Sequence, residues 1–282
     1  MTHVVSKPTA PFRSRSGAFE VHQIPAATDN LVWLMVCKKT GVCAVVDGPD
    51  ASGALAYAAE HGLTLSVVLN THTHGDHVGV NLDLAKRGKL EGMQVVGPDE
   101  ARDEVPGLTR GVRHRDTVQV GEVSGRVITA NGHIQGHVCF LFEDVLFCGD
   151  ALFTGGCGRV FTGDFAATHE GLSRLSVLDP STRICCAHEY TEDCLQFALS
   201  VEPDNRALVE RAIRVRALRA EGGCAVPSTL AEELATNPML RWDSESLITE
   251  VRRQSGDPSL SDPLAVFTAT RKLKDNGHYK QA

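Results

Sequence analysis

The stretch LSVVLNTHTHGDHVG, residues 65–79, decides the reading of this chain. Leu65 to Asn70 is a short apolar run rich in β-branched residues, too short for a helix and too apolar for an edge, so it reads as a buried strand. The six positions after Thr71 carry His72, His74, Asp76 and His77. A lone histidine on an apolar face is more often a satisfied core residue than a ligand, but four ligating groups in six positions are not that case. At about 100° per residue, side chains two apart point nearly opposite ways, so the four cannot share one helix face. On an irregular loop leaving the strand they converge. Neutral imidazole and carboxylate are preferred ligands of Zn²⁺ and related first-row ions.

A set this rich invites more than one ion, so completing ligands are sought at the ends of later β-like runs. His137 precedes VCFLF, Asp150 ends LFCGD, and His188 follows RICCA. The seven groups suffice for two sites of three protein ligands sharing one carboxylate, each with room for water, the mark of catalytic rather than structural metal. His133 competes with His137, but Asn131-Gly132 before it suggests a turn role. Histidines 3, 22, 61, 114, 169 and 278 lack such a setting and read as surface residues.

The rest of the chain gives this cluster a frame. FEVHQIP, LVWLMVCK and VCAVVD read as strands bounded by turn formers such as Asp29-Asn30 and Thr40-Gly41, and SGALAYAAEHG as a helix capped by Ser52 and stopped by Gly62. GVNLDLAKRGK reads as a helix and MQVVGP as a strand. A β-rich block follows in RVITANG, HVCFLFED and DVLFCGD, with TRICCAH as one more strand. Strands that alternate with helices and then pair as hairpins indicate an α/β sandwich of mixed sheets flanked by helices.

Beyond about residue 190 the spacing becomes helical. One helix lies in PDNRALVERAIRVRALRAEGG, a shorter one has Thr229 and Glu232 at capping-box spacing, and the last starts at Asp262-Pro263. We therefore expect a flexible leader over residues 1–18, a catalytic domain over 19–190 and a helical subdomain over 191–282.

A formal charge of −7 without a basic run disfavours nucleic acid as a partner, and no apolar stretch approaches the roughly 20 residues of a membrane span. Cysteines 37, 43, 139, 148, 157, 185, 186, 194 and 224 are odd in number, lie mostly in apolar segments and include no CxxC pair. They read as reduced thiols of a cytoplasmic protein rather than a thiolate zinc cage. No GxSxG elbow or phosphate-binding loop occurs, and Cys157 has no identifiable base beside it. The glycines of Gly155-Gly156-Cys157-Gly158 read equally as a tight loop or as a place where backbone approaches a substrate closely.

THTHGDHVG resembles the His-x-His-x-Asp-His signature of the metallo-β-lactamase superfamily. FCGDALFTGGCGRVF, AHEYTEDCLQFALS, NPMLRW and RKLKD look like the hydroxyacylglutathione hydrolases, or glyoxalase II, over roughly residues 20–275. The resemblance implies an αββα metallo-β-lactamase sandwich with a C-terminal helical subdomain that helps bind glutathione. It implies one ion on His72, His74 and His137 and a second on Asp76, His77 and His188, with Asp150 bridging. Zinc is the first choice of divalent metal, with iron or manganese also accepted by this N/O set.

Asp76 and Asp150 are the expected catalytic residues, orienting the attacking nucleophile. Arg159, Phe161, Tyr190, Arg271 and Lys274 are the expected substrate contacts. Leu264, Phe267, Arg271 and Lys274 also fall on one stripe of the last helix, which suggests that the two cations point inward at something anionic. Departures from the resembled pattern are Gly75 for Trp, Val80 for Gly, Phe161 for Tyr and Cys194 for Asn.

The activity so implied is hydrolysis of S-(2-hydroxyacyl)glutathione, S-lactoylglutathione foremost, to lactate and glutathione in methylglyoxal detoxification, by a monomer acting on a small molecule. The alternative within the superfamily is a glutathione-persulfide dioxygenase using a single iron.

Overall fold

In the computed structural model, which describes residues 2–281, the first half of the chain builds a seven-stranded sheet laid down strictly in chain order. Its strands are β1 (Phe12–Arg13), β2 (Phe19–Ala26), β3 (Asn30–Cys37), β4 (Val42–Val46), β5 (Thr64–Leu69), β6 (Gln94–Pro98) and β7 (Arg110–Val112). The first four pair antiparallel, and β4 to β7 pair parallel. Parallel neighbours need crossovers: α1 (Ser52–Glu60) joins β4 to β5, α2 (Gly75–Lys86) joins β5 to β6, and the 3₁₀ helix Asp99–Glu104 lies between β6 and β7. Ser52 is the first helical residue of α1 rather than its cap, and the Asp50 carboxylate accepts its N–H at 2.7 Å.

Every residue of β3 is buried because both faces of this sheet are covered. Val32, Leu34 and Val36 pack with Val45, Val68, Ala54 and Leu84 beneath the helices. Leu31, Trp33 and Met35 face the other way, into the main core.

The second sheet has six strands: β8 (Thr117–Val120), β9 (Val123–Thr129), β10 (Val138–Phe142), β11 (Val145–Gly149), β12 (Arg183–Cys186) and β13 (Ser228–Thr229), ordered β13-β12-β11-β10-β9-β8. Helix α3 (Phe165–Ser176) carries the chain from β11 to its parallel neighbour β12. Phe140, Phe142 and Phe147 fill the space between the sheets, and the Trp33 indole N–H donates across it to the Cys186 carbonyl at 2.9 Å.

Helices α4 (Thr191–Val201), α5 (Arg206–Ala220), α6 (Leu230–Thr236), α7 (Glu245–Ser255) and α8 (Pro263–Asn276) follow. Among the described residues no helix is long and apolar enough to cross a membrane. The capping box of Thr229 and Glu232 and the Asp262 cap both form as the spacing implies.

Two expectations about organisation change. The helical region is not cleanly separate, because β13 lies within it and pairs antiparallel with β12. Two residues carry no periodicity, so this strand has no signal in the sequence. Nor do residues 2–18 form a loose leader. Val5 is buried in the core, Ser6 and Lys7 donate backbone N–H to the Gly222 carbonyl, Thr9 bonds to Gln23 and Val226, and Phe12–Arg13 extends the first sheet. The prolines and polar residues there do not form a helix, but they pair their backbone with the body of the protein.

Candidate metal centre

The cluster gathers where loops leave the carboxyl ends of strands. His72 and His74 lie on the segment after β5, while Asp76 and His77 belong to the first turn of α2 rather than to the loop. Asp150 follows β11 and His188 follows β12. Two groups form, His72, His74, His133 and Asp150, and Asp76, His77 and His188, with the ligating atoms of each within 4.8 Å of one another.

The Asp150 carboxylate stands between the groups. Its Oδ2 is 3.3 Å from His133 Nε2, and its Oδ1 is 3.5 Å from both His77 Nε2 and His188 Nε2. Asp76 Oδ2 lies 3.3 Å from His188 Nε2 and 3.7 Å from His77 Nε2.

Four of the imidazoles have a neighbour on the nitrogen that faces away from the cluster. His72 Nδ1 meets the Thr71 hydroxyl at 3.1 Å; that hydroxyl already donates to Asp47 at 2.7 Å, so the imidazole is the donor. His133 Nδ1 donates to the Arg159 carbonyl at 2.8 Å. His77 Nδ1 faces Asp47 at 3.1 Å, and His188 Nδ1 bonds Asp29 at 2.8 Å. On His72 and His133 these outer partners fix the tautomer and turn a bare Nε2 lone pair inward.

That arrangement is what a cation requires. His72 Nε2 and His133 Nε2 each lie 3.0 Å from His74 Nδ1, lone pairs crowded together with no apolar reason to be there. His77 Nε2 and Asp150 Oδ1 are buried without a hydrogen-bond partner, which ordinarily costs a folded protein about 1–3 kcal/mol or more.

Protonation tendencies agree. Burial, with the neighbouring imidazoles, keeps His72 neutral by pushing its pKa well down. Burial opposes the charge on Asp150 and Asp76, but the surrounding histidines outweigh it and hold both carboxyls below their usual range. Burial likewise opposes protonation of His188, yet Asp29, Asp76 and Asp150 raise it to about 10, showing how strongly this corner attracts positive charge. Ionised carboxylates and a neutral His72 are forms that bind divalent metal, and a metal ion beside His188 would take the place of its proton, so the residues fit such ions.

His137 is corrected by this geometry. It lies outside both groups, stacked on His72 at 4.7 Å, with Nε2 accepting from the backbone N–H of Asp150 at 3.3 Å. It abuts β10, with its carbonyl tied to the Ala130 N–H. The Asn131-Gly132 turn, read as evidence against His133, is what delivers it. Asn131 Oδ1 accepts the N–H groups of Gly136 and His137, Gly132 takes φ +124°, and the arch between them lifts His133 over His74.

Gly158 belongs to the same corner. A Cβ there would lie 2.1 Å from the Asp150 carbonyl and 2.8 Å from His133 Nδ1, so the cluster itself demands this glycine.

Of the expected substrate contacts, Phe161 is 60% exposed and packs edge-on to His74 and His133 at 5.7 and 5.3 Å. The Arg159 guanidinium sits 5.5 Å from the Phe161 ring, and Tyr190 stacks on His188 at 4.7 Å. Arg271 and Lys274 do meet anions, but ones belonging to the chain. Arg271 is buried and donates to the Cys157 carbonyl and to Asp275, and Lys274 bonds Asp193 at 2.8 Å.

Asp29, Asn30, Asp47 and Thr71 escaped the sequence reading. Asp29-Asn30 registered only as turn formers, and Asp47, at the end of VCAVVD with φ +52°, offered no signal beyond a carboxylate closing an apolar strand. Histidines 3 and 22 are not plain surface residues either, since His3 bonds the Asn30 carbonyl and His22 is buried against Tyr57.

Comparison with known proteins places this site in a family. Residues 28–188 match the family model of the metallo-beta-lactamase superfamily, and residues 189–277 match that of the hydroxyacylglutathione hydrolase C-terminus. The hydroxyacylglutathione hydrolase of Methylococcus capsulatus is 43% identical over 258 residues, spanning 91% of this chain and 98% of the relative. The chain belongs to the hydroxyacylglutathione hydrolase family.

The relative of the same name from Rhodospirillum rubrum is 39% identical over similar spans. Among solved structures, ETHE1 from Myxococcus xanthus superposes with a TM-score of 0.61 at 23% identity, over 92% of this chain and 99% of its own. A metallo-beta-lactamase from Staphylococcus aureus also superposes at 0.61, with 21% identity over 91% of this chain and 71% of its own. These two share the fold with this family member, a mixed α/β sandwich that its sheets and helices also display.

Proposed function

We propose that this member of the family hydrolyses S-(2-hydroxyacyl)glutathione, S-lactoylglutathione foremost, to a 2-hydroxy acid and glutathione, the hydrolytic step of methylglyoxal removal. The observation that carries the reading is the Asp150 carboxylate, whose two oxygens each face a different group of imidazoles. His72, His74, His133 and Asp150 would hold one divalent ion, and Asp76, His77, His188 and Asp150 another, with zinc suited to both. Such ions lower the pKa of water from 15.7 to about 7 and stabilise charge developing on a carbonyl oxygen.

The chain's own groups then have defined tasks. Asp76 has a side chain 41% exposed and uses Oδ2 for Asn30 and His188, which leaves Oδ1 to accept a proton of the attacking water. Asp150 is buried and fixes the separation of the two groups. The faces of Phe161 and Tyr190 bound the approach to the cluster and keep bulk water from the acyl carbon. Arg159, whose nearest carboxylate is Asp275 at 4.0 Å, is the cation best able to meet an anionic substrate. Lys274 would exchange Asp193 for a glutathione carboxylate, while Arg271 holds the Cys157 backbone in place. Burial raises the Cys157 thiol, which suits it poorly to act as a nucleophile.

We further propose a cytoplasmic monomer that binds neither nucleic acid nor membrane, in keeping with nine buried, unpaired cysteines and a charge of −7. The test is loss of thioester absorbance with S-lactoylglutathione, run beside elemental analysis. Saturable cleavage with two metals per chain is expected. One iron per chain with oxygen uptake on glutathione persulfide, and no thioester cleavage, would assign the site to the dioxygenase instead.

A further inference from the structure

Within the second group, Asp76 is the most exposed residue, its side chain 41% exposed against 0% for His77 and 4% for His188. Its Oδ2 is fixed by the Asn30 side-chain amide at 3.0 Å, and His188 is aimed by the Asp29 carboxylate at 2.8 Å. Both supports come from adjacent residues of the β2–β3 turn, where Ala27 takes φ +51°. Part of the turn is secured by the body of the protein, through Glu189 N–H to the Asp29 carbonyl and Leu31 N–H to the Ala187 carbonyl.

Further ties come from the N-terminal segment. Val4 N–H donates to the Thr28 carbonyl at 2.8 Å, and His3 Nε2 donates to the Asn30 carbonyl at 3.0 Å. The His3 tautomer is set locally, because Nδ1 accepts the Val5 N–H at 2.8 Å and leaves the proton on Nε2. The segment is itself anchored by the buried Val5 side chain, by Arg219 donating to the Val4 carbonyl and by Ser6 and Lys7 on Gly222.

The first group takes none of its support from here, since His72 leans on Thr71 and His133 on the Arg159 carbonyl. Both family models begin at or after residue 28, so this segment lies outside what the family models match.

We infer that residues 3–5 act as a brace that holds the Asp29-Asn30 turn, and through it Asp76 and His188, in ligating geometry. The N-terminal segment thereby sets the affinity of the second metal group without touching it. His3 is a positioning residue in this scheme, which rests on the two-metal reading above. Outer partners of ligands typically govern affinity by about 10–100-fold, and a group one bond further out should govern it by about 3–10-fold.

The test is competition of Zn²⁺ between the full-length metal-stripped protein and a chromophoric chelator, with His188→Ala marking which of two binding steps belongs to the second group. In His3→Ala that step should weaken by about 3–10-fold while the other holds. His3→Gln, which keeps an N–H donor, should restore it, and circular dichroism and melting of the metal-stripped variants should be unchanged. Equal weakening of both steps, or no weakening of either, overturns the brace. Failure of the unaltered protein to bind two zinc ions would instead overturn the two-metal reading, and the two results are distinct.

Discussion

Removing the Glu233 carboxylate should be among the most damaging single changes outside the metal cluster. Glu233 is fully buried and accepts from four donors: Gly155 N–H at 2.8 Å, Asn237 Nδ2 at 2.9 Å, Ser228 Oγ at 2.6 Å and the Arg211 guanidinium. Arg211 is only 3% exposed, so Glu233→Ala leaves a guanidinium in the interior with the Thr236 hydroxyl and the Glu232 carbonyl as its remaining partners. Breaking one side of a buried ion pair costs about 3–5 kcal/mol, and each stranded neutral donor adds about 1–3 kcal/mol before water fills the space. With water refilling the space and taking over the neutral donors, the ion-pair contribution of about 4 kcal/mol remains as the expected loss. At about 2–4 °C per kcal/mol for chains somewhat shorter than this one, the melting temperature should fall by roughly 8–16 °C.

Urea unfolding of the metal-stripped protein measures this directly. The double variant Arg211→Leu, Glu233→Leu removes both charges, so it should lose only about 2 kcal/mol, mostly from the amides of Gly155 and Asn237. Asn237 also donates to the Phe153 and Gly156 carbonyls, and Gly158 N–H beyond them bonds the Asp150 carbonyl. Glu233→Ala should therefore lower turnover more than Glu233→Gln, which keeps the shape. Equal destabilisation of the single and double variants, or a loss below about 1 kcal/mol, would refute the assignment of the cost to a stranded charge.

Two further outcomes separate the roles of neighbouring residues. His133→Ala should remove one bound ion per chain in elemental analysis, whereas His137→Ala should leave two bound and chiefly lower stability; the reverse pattern would restore His137 as the ligand. For Asp193, burial opposes ionisation, but Lys274, Lys280 and Tyr279 outweigh it and hold the carboxyl at about 2. A folded value below the unfolded one of about 3.9 means the stabilisation is complete above pH 4 and is lost as pH falls toward 2. Because Asp193 is partly exposed, the effect should stay under about 1 kcal/mol. Asp193→Asn should flatten the acid limb of urea midpoints between pH 4 and 2 in the metal-stripped protein, and parallel curves would count against the interaction.

Most of the frame was legible because its signals are local. Apolar runs of strand length, the capping box at Thr229 and the His-x-His-x-Asp-His spacing each report on residues a few positions apart. What escaped depends on partners far away in sequence. The β13 strand exists because Arg183 and Ile184 need neighbours, and residues 2–18 are ordered because Gly222 and Val226 offer carbonyls. His133 was passed over because a turn signal and a ligand role look like alternatives in one dimension, whereas in space the turn delivers the ligand. Arg271 and Lys274 did lie on an inward stripe, but periodicity says that a cation points inward, not whose carboxylate it meets.

The pairing of Ser228 and Thr229 with β12 bears on how this polypeptide can be divided. A cut at the junction of the two matched regions, after His188, would strip the last ladder partner from Ile184 and Arg183 and bare a row of backbone amides and carbonyls. Such a margin recruits other chains. The truncated front portion should self-associate rather than persist as a free-standing enzyme, which makes the rear segment a cover for the sheet.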